Sequence, residues 1–357
     1  MALKQADRNR TAALIIAGGR GTRFWPEGRS HRPKPLFAMD GKNSLVAETI
    51  ARLQPLIPMD RIFVLVAADH VGAFRKALKD SISPSNLIVE PQGRGTAVAI
   101  AYGAAIIAKR LGDQAIVAVM PADHHIPEGK QFRQTLGEAL ELATGPEALV
   151  VVGVPPSRPE TGYGYQEIGQ AVGKGFQVKR FVEKPDLAKA RRMVRSGKFL
   201  WNAGMFVMRV ATLKAELARH APVLAAAMAR FATLKSTALG KAYGELKFDS
   251  FDRVVAEKSS NLISVCARFG WGDVGSWEGL WEAQRGNSHS VVTGNVVALD
   301  SKGVLARGGK RLMVMLGVTD VIAIDTDDAI LIIERTRSQE IGQALEELRR
   351  RGYHDYL

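Results

Sequence analysis

The first half of the chain alternates short, unbroken apolar runs with longer segments of helical period. Ala12–Ala17, Arg61–Ala67, Asn86–Glu90, Ala115–Met120 and Ala148–Val154 read as strands, and Val71–Asp80, Thr96–Leu111 and Phe132–Ala143 read as helices. Strands apolar on both faces belong in a mainly parallel sheet covered on either side by helices. The fold class is therefore α/β, with a doubly wound sheet. Ligands of such sheets sit beyond the carboxyl ends of the strands. The middle is mixed: Phe176–Glu183 and Ala203–Val210 have strand character, and Leu187–Ser196 and Thr212–Phe231 have helical character. After about Gly286 the pattern becomes short β segments punctuated by Gly, Asp and Asn, closed by a helix over Gln339–Arg351. This predicts two domains, residues 1–286 and a small C-terminal β-rich unit over 287–357. A turn of β-helix or a small β sandwich would each fit the second.

Length agrees with that division, since 357 residues at roughly 150 per domain predict about two domains. Hydrophobic residues make up 46% and charged residues 24%, which excludes wholesale disorder. No apolar run approaches the ~18–20 uncharged residues of a membrane span. The N-terminal MALKQADRNR lacks the apolar core of a secretory signal, so a cytoplasmic location without membrane association is expected. A single cysteine, Cys266, excludes an internal disulfide framework and a Cys-rich zinc site, and it reads as buried and inert within NLISVCARF. The net charge is +13, with the densest basic clusters at Arg20–Lys34 and Arg349-Arg350-Arg351. There is no zinc-finger spacing or aromatic RNA-binding signature, so nucleic acid is not an expected partner. Most of this charge reads as solvated surface, and the first cluster is the exception.

In that cluster a strand runs into Gly18-Gly19-Arg20-Gly21-Thr22-Arg23, followed by Phe24-Trp25-Pro26 and Pro33-Lys34-Pro35. Glycines let backbone N–H groups face a phosphate without an intervening Cβ, and Arg23 and Lys34 add two cations. The Gly-Lys-Ser/Thr of a Walker loop is absent, the third glycine of a dinucleotide fingerprint is replaced by Phe24, and no kinase catalytic-loop motif follows. The combination suits a polyphosphate. Asp123 follows the strand AIVAVM and should stand at a sheet edge, and Asp273 lies in Gly272–Gly275. Hard cations such as Mg²⁺ prefer carboxylate oxygens, although a turn or helix cap would account for either aspartate alone. His124 and His125 point opposite ways on an extended chain and read as structural rather than as ligands of one ion.

The segment around Gly18–Pro35 resembles the signature of sugar-1-phosphate nucleotidyltransferases, GG-x-G-T-R-x-x-P…P-K-P, and its Phe-Trp-Pro form looks most like the mannose-1-phosphate guanylyltransferases. Further matches follow in order: Glu90-Pro91, Pro121-Ala122-Asp123-His124, Gly162-Tyr163-Gly164-Tyr165, Phe181-Val182-Glu183-Lys184-Pro185, Trp201-Asn202-Ala203-Gly204 and Trp271-Gly272-Asp273-Val274-Gly275. Gly294-Asn295-Val296-Val297 and Asp325-Thr326-Asp327-Asp328-Ala329 match in the C-terminal part, and the length resembles a short bacterial form without a fused isomerase domain. The resemblance implies a Rossmann-like nucleotidyltransferase fold and an enzyme that makes GDP-mannose and pyrophosphate from GTP and mannose 1-phosphate, with Mg²⁺ as cofactor. It implies that Gly18, Gly19, Gly21, Thr22, Glu90 and Gly95 bind the nucleotide and that Arg23 and Lys34 are catalytic. Gly164, Glu183, Lys184 and Asn202 would bind the sugar phosphate, and Asp123 and Asp273 would hold the metal.

Two departures from the family pattern bear on specificity: Arg94-Gly95-Thr96-Ala97-Val98-Ala99 replaces the usual Arg-Asn-Thr-Ala-Pro-Ala, and Glu27-Gly28 replaces Leu-Ser. They leave room for another sugar 1-phosphate, such as a manno-heptose phosphate. A catalytically silent nucleotide-sugar-binding regulatory subunit is the reading from another class, since fold does not dictate function. Retention of Arg23, Lys34, Asp123 and Asp273 argues for activity. Exposed strand edges in the C-terminal unit would need covering, either in a homodimer or by the tail helix capping the unit within one chain.

Overall fold

In the computed structural model, which describes residues 5–18, 21–29, 32–39, 42–286 and 288–357, the apolar runs form strands. In chain order these are β1 (Thr11–Ile16), β2 (Ile62–Ala67), β3 (Leu87–Glu90), β4 (Ile116–Pro121), β5 (His124–His125) and β6 (Leu149–Val154). They continue with β7 (Tyr165–Val172), β8 (Gly175–Val182), β9 (Phe199–Arg209), β10 (Leu262–Cys266) and β11 (Gly272–Asp273). Among the described residues nine of them form one sheet, in the order β3-β2-β1-β4-β9-β6-β10-β8-β7. The half that holds β3, β2, β1 and β4 is parallel, as continuous apolar strands require. β9 then runs antiparallel to β4 and β6, and its first residues also pair antiparallel with β7.

Alternate residues of β1 face opposite layers. Ala13 and Ile15 join Val46, Ile50 and Phe132 on one side, and Ala12 and Leu14 join the helix Thr96–Leu111 on the other. The chain leaves β1 for β2 on one side, while β4 lies on the other. The carboxyl ends of β1 and β4 therefore flank the point where the strand order reverses, which in such sheets opens a ligand crevice. The helix expected over Thr212–Phe231 is two helices, Val210–His220 and Pro222–Phe231. Pro222 cannot continue a helix and pushes Ala221 out of helical geometry. Cys266 is half-buried rather than enclosed. Among the described residues no helix is long and apolar enough to cross a membrane.

The C-terminal segments form β12 (Val291–Thr293), β13 (Val296–Leu299), β14 (Leu305–Arg307), β15 (Met313–Leu316), β16 (Val321–Asp325) and β17 (Ile330–Glu334). β12, β14 and β16 pair in parallel, as do β13 and β15, which is the stacking of a β-helix and not of a sandwich. One small core lies inside the coil, around Val304, Ala306, Met315 and Ala323. A second core joins the coil to the rest of the chain: Leu305, Ile322, Ile324 and Leu345 pack with Phe24, Trp25, Phe37 and Trp277.

That shared core grips residues 21–29 and 32–39, which carry two short 3₁₀ turns. The rings of Phe24, Phe37 and Trp277 lie 5.2–5.6 Å apart. Trp277 donates to the carbonyl of Trp25 at 2.9 Å, and Trp25 donates to the carbonyl of Tyr356 at 2.6 Å. Arg29 forks onto Asp328 at 2.9 and 2.7 Å. Arg307 forks onto Glu27 at 2.8 and 3.3 Å and also donates to the carbonyls of Ala38 and Met39. Glu27, one of the departures from the family pattern, is thus an interdomain strut.

Arg307→Ala strands a largely buried Glu27 carboxylate and should lower stability by about 3 kcal/mol, in the range found for breaking a buried pair. Lys310→Ala, which breaks the exposed pair with Asp327, should leave the urea unfolding midpoint within error. Equal shifts in the two variants would remove the Arg307–Glu27 pair from the account of loop anchoring.

Candidate active site

The chain leaves β1 at Ile16, and Gly18 follows two residues on. Gly21 has φ +63°, and a Cβ there would lie 2.5 Å from the backbone nitrogen of Lys34 and 2.8 Å from its Cβ. Only glycine lets the loop close on Lys34 in this way. Asp123 stands two residues beyond β4. Asp273 ends β11, whose antiparallel pairing with β5 sets it opposite His124. Two carboxylates far apart in sequence therefore meet on one ammonium: Lys34 Nζ donates to Asp123 Oδ2 at 2.7 Å and to Asp273 Oδ1 at 3.0 Å.

Lys34 is 8% exposed. Its burial by itself would lower its pKa, but the charges and hydrogen bonds of both aspartates outweigh burial and raise it, so the side chain stays cationic. Burial pushes the Asp273 carboxyl up, and Lys34, His124 and Arg23 together bring it below its ordinary value. Burial also drives His124 below the usual histidine range, and Nδ1 accepts the indole N–H of Trp271 at 3.1 Å. His124 is thus a structural residue, as expected. Gly18, Gly21, Thr22, Arg23, Lys34, Asp123 and Asp273 line one cavity of about 270 Å³.

Gly18 and Thr22 also border a second cavity, of about 540 Å³. Its lining includes Glu90 at the end of β3, Asp69 just past β2, and Leu345 and Arg349 of the C-terminal helix Ile341–Arg350. Glu90 is 5% exposed and accepts the Tyr243 hydroxyl at 2.7 Å. Burial raises its pKa, against the pull of the Tyr243 hydroxyl and the Arg94 backbone N–H. Gly95 lies outside both cavities. It precedes the helix Thr96–Leu111, with φ +87° and its Cα directed at the carbonyls of Phe248 and Asp249, which a Cβ would meet at 2.6 and 2.8 Å. Gly19 lies outside the described residues.

The remaining residues form a third cluster. Gly164 carries the Glu183 carboxylate so closely that a Cβ would lie 2.6 Å from Glu183 Oε2. Lys184, with φ +47°, pairs with Glu183 at 3.4 Å and is more than half exposed. Asn202 stands inside β9, where the pairing with β6 shifts register, and not in a turn. Its amide donates to Asp252 Oδ1 at 2.6 Å, and its Oδ1 accepts the Gly204 N–H at 3.0 Å. Burial raises the pKa of both Glu183 and Asp252, and the charge of Asp252 adds to the rise at Glu183. Tyr163 joins this cluster to the first: its ring meets that of Trp271 at 5.0 Å, and Trp271 meets His124 at 5.3 Å.

Three contributors were not legible as site residues. Asp252 opens a π-helical turn, a feature common at functional sites, but the sequence around it carries no motif. Tyr243 reads as one more apolar position of a helix. Arg349 reads as part of a solvated basic tail. Arg29, by contrast, belongs to the basic cluster near the glycines but is committed to Asp328.

Two carboxylates that converge on one cation, beside a cavity of phosphate size, are a donor set that fits Mg²⁺, which completes its shell with phosphate oxygens and water. Among the described residues no group of three or more His, Cys, Asp or Glu side chains gathers for a metal.

The family model described as nucleotidyl transferase matches residues 12–289, and that described as MannoseP isomerase/GMP-like beta-helix domain matches residues 294–348. The chain is 36% identical over 349 residues to the xanthan biosynthesis protein XanB of Xanthomonas campestris pv. campestris strain B100, covering 95% of this chain and 73% of that protein. It is 33% identical over 362 residues to the mannose-1-phosphate guanylyltransferase of Escherichia coli, covering 96% of this chain and 75% of that protein. A crystal structure from Thermus thermophilus, named as a mannose-1-phosphate geranyltransferase, superposes with a TM-score of 0.88 at 33% identity, over 95% of this chain and 99% of that one.

Tyr243→Phe removes the donor to a buried carboxylate and should cost about 1–3 kcal/mol of stability. The folded-state pKa of Glu90 is already raised and would rise further, so the folded variant gains most from protonation. Its deficit relative to wild type should shrink as pH falls through that raised pKa. Urea unfolding at about pH 8 and about pH 5 measures this difference. A deficit that grows on acidification contradicts the assignment.

Proposed function

The chain belongs to the nucleotidyl transferase family, and from that premise we propose that it transfers GMP from GTP to mannose 1-phosphate, releasing pyrophosphate. The observation that carries this reading is the junction of Lys34 with Asp123 and Asp273 beneath the glycine loop, between a nucleoside-sized cavity and a carboxylate–amide cluster suited to sugar hydroxyls. The nucleotide phosphates lie along Gly18–Thr22 in the smaller cavity, and the nucleoside lies in the larger. The Glu90 carboxylate accepts from guanine N1–H and N2–H₂. This pairing is available while Glu90 is ionised and weakens at acid pH.

A phosphate oxygen of the sugar phosphate attacks the α-phosphorus of GTP in line. That oxygen is already ionised at neutral pH, so no covalent enzyme intermediate is required, and the protein's work is placement and charge neutralisation. Arg23 and Lys34 offset charge on the α-phosphate and the departing pyrophosphate. Lys184 orients the attacking phosphate, while Glu183 and Asn202 accept from and donate to the sugar hydroxyls. Asp123 and Asp273 are the residues that would hold Mg²⁺, which when bound supplies further neutralisation of phosphate charge. The coil of 287–357 serves as the second domain of this enzyme, and its grip on residues 21–39 keeps the phosphate loop in place.

Arg23→Ala should lower kcat/KM by about 10²–10³-fold, by analogy with loss of an oxyanion-hole donor. The exposed Arg23 side chain predicts an unchanged circular dichroism spectrum and unfolding midpoint. Near-normal turnover would remove Arg23 from the mechanism. A pyrophosphate-release assay over four nucleoside triphosphates and several sugar 1-phosphates should give the highest turnover for GTP with mannose 1-phosphate. Preference for UTP or dTTP would overturn the base assignment.

A further inference from the structure

The second cavity has a wall from a different part of the chain. Leu345 and Arg349 stand one helical turn apart on the helix Ile341–Arg350, and both line the cavity that contains Glu90. Leu345 is buried in the shared core, which fixes the helix face, and Arg349 on that face lines the cavity. The two arginines beside it behave differently. Arg350 and Arg351 both pair with Glu347, whereas the Arg349 guanidinium has no hydrogen bond or ion pair among the described residues. An exposed, uncommitted guanidinium thus borders the same nucleoside-sized space as a buried carboxylate.

We propose that Arg349 reads the guanine base through its O6 and N7 acceptors, completing the recognition that Glu90 begins at N1–H and N2–H₂. The chemistry of the two walls is complementary to guanine alone among the common bases. A planar guanidinium fork matches the O6/N7 pair, and adenine places an amino donor where O6 would be. The inference rests on the guanylyltransferase reading and deepens it, because it makes the C-terminal domain a contributor to base choice.

Steady-state kinetics on the full chain separate the two walls. 7-Deaza-GTP lacks the N7 acceptor, and ITP lacks the N2 amine but keeps O6 and N7. Wild type should use 7-deaza-GTP several-fold less well than GTP. Arg349→Ala should lower kcat/KM for GTP by about tenfold to a hundredfold, mostly through KM. It should also abolish the discrimination against 7-deaza-GTP while preserving that against ITP. Arg349→Lys, which keeps the charge and can still donate to N7 or O6, should recover part of the GTP kcat/KM lost in Arg349→Ala. If Arg349→Ala weakens GTP, 7-deaza-GTP and UTP by one common factor, the residue acts on phosphate or on structure and the proposal is overturned. If the variant retains the 7-deaza discrimination, it is overturned too. A wild type without preference for GTP over UTP and ATP would instead bring down the guanylyltransferase reading itself.

Discussion

A buried ammonium cannot stand alone, and the site is organised around that requirement. Lys34 is almost fully enclosed, and among the described residues Asp123 and Asp273 together make its charge tolerable. The three groups come from three separate segments: the loop after β1, the end of β4, and the two-residue strand β11. Each must be placed to within a hydrogen-bond length. Much of the remaining architecture can be understood as the means of doing so.

Two of those segments are held by the sheet. Asp123 follows β4 next to β1 at the reversal of strand order, and Asp273 is held by the β5–β11 pairing. The third has no lattice of its own. Residues 21–29 and 32–39 are largely irregular and are fixed from outside by the ring cluster of Phe24, Phe37 and Trp277 and by Arg29–Asp328 and Arg307–Glu27. A loop fixed in this way is preorganised, and preorganised dipoles and cations stabilise developing charge without reorganising during the reaction. The C-terminal coil is therefore coupled to this loop through packing, and through Arg349 it also borders the larger cavity.

The basic residues divide according to what they face. Arg29 and Arg307 are spent on interdomain pairs, and Arg350 and Arg351 on one glutamate of their own helix. Arg23 and Arg349 line cavities, Lys34 lines one while held by Asp123 and Asp273, and Lys184 pairs with Glu183 at the surface. A net charge of +13 states nothing about this division. It depends on which carboxylates the fold places nearby.

Local order was legible in the chain wherever its cause was local. Continuous apolar runs could only be buried strands, and the helices Thr96–Leu111 and Leu187–Ser196 end where their flanking residues stop them, with Asp186 capping one and Gly197 turning left-handed after it. Pro222 was an equally local signal for the break after His220. The glycine loop, its cations and the separate aspartates could be named from their spacing, but not their meeting. Gly95 shows the limit: its backbone conformation serves packing against Phe248 and Asp249, outside either cavity. Asp252, Tyr243 and Arg349 have no local pattern, because what they do depends on neighbours 50, 153 and several hundred residues away. The sequence by itself determined the strands, the caps and the chemically able side chains, since those follow from period and from residues adjacent in the chain. Only the tertiary structure decided which charges meet, because a pairing between distant segments is set by strand order and packing and not by any residue's immediate neighbours.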